Sequence, residues 1–115
     1  MKRKIGHLQV IDVDNRVHLC KEKWHNENLS QVNDSLVRLG IFDGEFHWHK
    51  HDKEDEFFFV LSGTLLLDVK GKGTLELQPH QGYTVPMGVV HRTRAKDKTV
   101  VLMVEKDRVE PKGDK

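Results

Sequence analysis

The 115-residue chain has one cysteine, three prolines, one tyrosine and almost no net charge, +1 with histidine neutral. Each shortage excludes something. A lone Cys20 rules out an intramolecular disulfide framework and fits a reducing compartment, so the expected location is the cytoplasm. The longest apolar runs are about half a dozen residues, far short of the ~20 that span a bilayer, and no signal-peptide core follows Met1. Neither a membrane nor a nucleic acid is an expected partner, because no basic face or charge block is present. Histidine, by contrast, is plentiful: there are eight, three of them alternating at 47, 49 and 51.

The length suits one domain with one core. Residues 1–34 are the hardest to read. Leu8–Val13 reads as an edge strand and Lys21–Asn28 as polar loop or one helical turn. The segment as a whole is expected to pack on the rest of the fold or on a partner subunit. From Ser35, β-favouring runs alternate with turn residues. Strands are predicted at 35–42, 45–50, 56–61, 64–70, 74–78, 83–86, 90–95 and 99–105. No window there carries a helical apolar period. Many short strands with close turns predict an all-β sandwich, barrel or jelly roll over 35–106, followed by a mobile charged tail, 107–115.

His49 and His51 stand at i and i+2, so on a strand they project from one face, as two ligands of one ion must. A cluster of carboxylates follows, and His91 arrives just after the turn Pro86–Met87–Gly88. Three imidazoles and a carboxylate suit a divalent transition metal: Fe, Mn, Ni, Zn or Cu. Strict alternation puts His47 on the same face and Phe46 and Trp48 on the other. In the next strand Glu56, Phe58 and Val60 share a face opposite Phe57 and Phe59. An outward patch of Phe46, Trp48, Phe57 and Phe59 would be large for a monomer, which predicts a homodimer unless residues 1–34 cover it.

At this point the chain resembles the cupin family, in its small single-domain, mannose-6-phosphate-isomerase-like branch. His49, His51, Glu56 and Gly63 match the first cupin motif, and Pro86, Gly88 and His91 match the second. The resemblance covers roughly residues 40–105 and implies a jelly-roll β-barrel with His49, His51, Glu56 and His91 around one metal. Three positions depart from the pattern. Asp43 stands where a glycine is expected, one place before Gly44; His80 replaces a turn glycine; Ala95 replaces an asparagine. Histidine tolerates the left-handed backbone better than most residues, so the first two changes bear on loop geometry rather than on the ligands.

Such a site leaves positions open on a six-coordinate ion for a small polar or anionic molecule. The function expected is a metalloenzyme of oxygenase, isomerase or decarboxylase type. A non-catalytic metal-dependent binding or sensing module is the alternative. His47 and Tyr83 are the candidate proton-handling residues. Arg92 and Arg94 alternate with His91 and should face away from the metal, whereas Arg38 could meet an anionic substrate. Glu54 and Asp55 read as a solvated turn, and Met87 and Met103 as core fillers.

Overall fold

The structure, a computed structural model, describes residues 4–107. The tail predicted to be mobile lies almost entirely outside the described residues. One short helix, α1 (Val13–Leu19), precedes seven strands: β1 (His25–Val32), β2 (Ser35–Glu45), β3 (Glu56–Ser62), β4 (Leu65–Val69), β5 (Gly73–Leu77), β6 (Gly82–Val85) and β7 (His91–Lys106). All pairings are antiparallel, in the order β1-β2-β7-β3-β6, with β4 joined to β7 and β5 to β4.

The predicted strands 90–95 and 99–105 are one long β7. Its first part pairs with β4 and its second with β3, so a single strand serves both walls of a jelly-roll barrel. The exposed Lys96-Asp97-Lys98 lies between the two parts. Side chains from both walls fill the space between them: Phe58, Val60, Val101 and Met103 meet Leu65, Leu67, Val69, Leu77 and Ala95. Glu56, Phe58 and Val60 point inward together, as the period-two reading of that strand predicts.

The first third differs from expectation. Leu8 and Val10 are 86% and 97% exposed and join no strand. The edge of β2 is taken instead by β1, from the stretch read as polar loop, through a hairpin whose Asn33 adopts φ +53°. Ahead of it, Asp12 caps α1 by accepting from the Asn15 N–H at 3.1 Å. Seven residues are too few to hold a helix alone. Val13 and Val17, one turn apart, dock it on Leu29, Leu39, Ile41 and Val100, outside the barrel.

Gly63, the last residue of the first motif, has φ +81°, and a Cβ there would lie 2.6 Å from Thr99 Oγ1 and 2.8 Å from the Lys98 carbonyl. Gly63→Ala is expected to cost about 1–3 kcal/mol, read as a lowered urea midpoint. An unchanged midpoint would contradict that backbone. His80, the residue standing at the other glycine position, takes φ +69°, the left-handed backbone that position demands.

Candidate metal centre

Four side chains converge at one end of the barrel. Glu56 opens β3, His91 opens β7, and His49 and His51 come from the connection between β2 and β3. His49 exchanges both backbone hydrogen bonds with His91, at 2.9 and 2.8 Å. The Gly88 N–H donates to the His51 carbonyl (2.8 Å) and the Met87 N–H to the Asp55 carboxylate (2.9 Å). These bonds stitch the two distant motifs together. Asp55 therefore positions the second turn, a role that a run of neighbouring acidic residues does not reveal in sequence.

One potential ligand atom from each of the four residues lies within 4.8 Å of all the others. Around an ion with ~2.1 Å bonds, cis ligands sit ~3 Å apart and trans ligands ~4.2 Å, so a slight contraction completes a coordination shell. His91 Nε2 is 3.1 Å and His51 Nε2 3.5 Å from Glu56 Oε1. The His91 Nδ1–H donates to the Val89 carbonyl (2.9 Å) and the His49 Nδ1–H to the His47 carbonyl (3.0 Å). A carbonyl can only accept, so both rings turn the lone pair of Nε2 inward. Burial would raise the Glu56 carboxyl, but its contacts with His51 and His91 outweigh burial and hold it below the usual carboxylate range. Two acceptors 3.1 Å apart repel unless positive charge lies between them, a proton in the metal-free protein, as the lowered Glu56 carboxyl requires, or a metal ion. A divalent cation supplies it, so the donor set fits a metal.

The cupin domain family matches residues 38–105. This chain is a cupin. Over 90 residues it is 48% identical to the uncharacterized protein YdbB of Bacillus subtilis (strain 168), a match covering 78% of this chain and 80% of that protein. A cupin-2 domain protein from Shewanella frigidimarina superposes with a TM-score of 0.79 at 31% identity, covering 84% of this chain and 94% of that one. Protein NMB1881 from Neisseria meningitidis shares the fold at 22% identity, with a TM-score of 0.76 and coverage of 86% and 100%. The His/His/Glu/His cluster of this cupin fits a metal-binding member of the family.

Beside the cluster the cupin holds a cavity of about 170 Å³, lined by Trp24, Asn26, Phe42, Phe46, His49, Glu56, Phe58, Thr93 and Met103. Phe46 is thus on the inside, not in an outward patch with Trp48. The cause is a bulge. The Phe46 N–H donates to the Thr93 carbonyl and the His49 N–H to the His91 carbonyl, so His47 and Trp48 together oppose Arg92 alone. The extra residue reverses the faces upstream of His49 and breaks the predicted strand 45–50. His47 is left exposed at the rim, its ring 5.3 Å from that of His49. Trp48 lies outside, under Arg92. Tyr83 packs against the core and is not among the cavity walls.

Arg92 and Arg94 do face away from the cluster, and both donate to the buried Asp68. Arg38 is buried rather than substrate-facing: it pairs with Glu105 at 3.0 Å and donates to Asn26 Oδ1 at 3.1 Å. Met103 is a core residue, whereas Met87 is 53% exposed on its turn. Trp24, just ahead of β1, and Asn26, near its start, carried no sequence signal beyond polarity around them.

Burial and the nearby imidazoles His91 and His51 pull the His49 ring down to about 4. The ordinary value is 6.5, so in the metal-free protein acid protonates the unfolded chain before the folded one. Stability tied to His49 is present above pH 6.5 and is lost as pH falls from 6.5 toward 4. The stability difference between wild type and His49→Gln, measured by urea unfolding without metal, should therefore shrink or reverse across that window. A pH-independent difference would contradict the burial of this ring.

Proposed function

We propose that His49, His51, Glu56 and His91 hold one divalent transition-metal ion and that the cupin is a metalloenzyme acting on a small molecule in the adjoining cavity. The supporting observation is the convergence of three imidazoles on the buried Glu56 carboxyl, one potential ligand atom of each residue lying within 4.8 Å of all the others. A bound ion would supply Lewis-acid or redox chemistry to a ligand in its open positions. The chain's own part is to exclude water with Trp24, Phe42, Phe46 and Phe58 and to orient a polar group with Asn26 and Thr93. Of the two proton-handling candidates, His47 stands at the rim beside His49, while Tyr83 is packed elsewhere. His47 is therefore the residue we assign to proton exchange with solvent.

Elemental analysis of the purified protein, followed by oxygen consumption with small acids, phenols and diketones, tests this reading. Iron or copper at one equivalent with turnover supports it; no stoichiometric metal overturns it. One observation favours the second reading, a metal-dependent binding or sensing module. Apart from His49 and Glu56, the polar side-chain groups of the lining residues are an amide, a hydroxyl and an indole N–H, none suited to moving protons at neutral pH. Stoichiometric zinc, retained ligand and no turnover would select it.

We also propose a cytoplasmic homodimer. The single cysteine fits a reducing compartment. Among the described residues no helix is long and apolar enough to cross a membrane. Phe57 and Phe59 are half-buried and Val104, paired with Phe57, is exposed. Light scattering at micromolar concentration should give twice the chain mass, and a monomer would refute the dimer.

A further inference from the structure

We propose that the cavity selects a small flat molecule with an apolar body and a single negative charge, and that Trp24 is the residue that sets this preference. The inference rests on the metal reading above and narrows it. The expected substrate class, small and polar or anionic, changes in one respect: the body of the ligand must be apolar.

The walls of the cavity are largely aromatic. Trp24 stacks on Phe42 with ring centroids 4.4 Å apart and on Phe46 at 5.3 Å, nearly parallel at 8°. Phe58 completes an aromatic wall. A cavity of about 170 Å³ is close to the ~150 Å³ that takes one benzene ring, so the space accepts one ring or a chain of similar bulk. No lysine or arginine lines it. A dianionic phosphate would be desolvated there against aromatic faces without a cation beyond the metal, which is costly. A divalent ion with one carboxylate ligand keeps about one positive charge, which one carboxylate, phenolate or enolate of the ligand neutralises.

Two polar groups fix orientation at the wall. Arg38 only donates, so Asn26 must turn its oxygen toward Arg38 Nε, leaving its amide N–H groups as the donors for a ligand. Thr93 adds a hydroxyl. Trp24 belongs to the segment entering β1, held by the pairing of His25 with Ile41, so the N-terminal third supplies the determinant while the barrel supplies the ion.

The chain has two tryptophans, and Trp48 lies outside, 5.0 Å from Arg92. The full-length Trp48→Phe protein, loaded with zinc, therefore reports on Trp24 alone. Titration with benzoate should change its emission saturably, at least ~tenfold more tightly than acetate, with no saturable response to inorganic phosphate. By calorimetry, Trp24→Leu should weaken benzoate ~tenfold while keeping one zinc per chain. Phosphate or acetate binding as tightly as benzoate would overturn the proposal, as would unchanged benzoate affinity in Trp24→Leu. The emission ranking needs no cavity substitution, so it decides the matter even if Trp24→Leu does not fold. Should the protein take up no zinc, toluene decides the aromatic slot separately: a saturable Trp24 response supports it and none overturns it.

Discussion

His91→Ala is expected to take the bound metal from about one ion per chain to none after dialysis, while the barrel remains folded. The His91 ring is 1% exposed, and its orientation is set by the Val89 carbonyl on one side and Glu56 on the other. Outer partners of metal-bound histidines are alone worth about 10–100-fold in affinity, so loss of the ring itself should exceed that. The backbone bonds between residues 49 and 91 need no imidazole and persist in the variant. Elemental analysis beside a circular dichroism melt checks both halves. Asp55→Ala, which releases the Met87 N–H but keeps all four ligands, should fall between wild type and His91→Ala. Wild-type metal content in His91→Ala would remove that residue from the site.

Arg38→Ala should cost about 3–5 kcal/mol at pH 9, where the Glu105 carboxyl of the wild type is charged and paired. Arg38 and Glu105 have side chains 10% and 1% exposed and are 3.0 Å apart, so truncation leaves a buried carboxyl without its cation. Burial and the neighbouring Glu56 charge already push the Glu105 carboxyl up to about 8, with Arg38 opposing them. A raised carboxyl favours folding when protonated, and stability is lost as pH rises from its ordinary 4.5 through the folded value. Removing Arg38 raises that value further. The deficit of Arg38→Ala relative to wild type should therefore be greater at pH 9 than at pH 5, by urea midpoints. Arg38→Met with Glu105→Leu should recover much of it, because an apolar pair needs no charge compensation. Equal deficits at both pH values would contradict the burial of this pair behind Glu56.

The ligand cluster was legible because its chemistry leaves a spacing that few other roles require. His49 and His51 alternate on one face, Glu56 begins an inward period shared with Phe58 and Val60, and His91 follows a turn closed by Gly88. The cavity was not legible for two reasons. Two-residue alternation fails wherever the backbone bulges, and the register shifts between Phe42 and Gly44 and again at His47 and Trp48. Each extra residue exchanges inside for outside, which is how Phe46 moved from the expected surface to the cavity wall. The departure at Asp43 and Gly44 sits at the first of these irregularities, with Gly44 at φ +118°. The second reason is β1. As an edge strand with one fully buried residue, Leu29, it has the polarity of a loop, so Trp24 and Asn26 gave no sign of their position.

In the proposed function, four side chains from two separated motifs share one ion. Crystals of the protein as purified, measured above and below the absorption edge of the metal found by elemental analysis, test it most directly. A single anomalous peak is expected about 2.0–2.3 Å from one nitrogen each of His49, His51 and His91 and from a Glu56 oxygen. A peak elsewhere, or one that any of the three imidazoles does not reach, would contradict it.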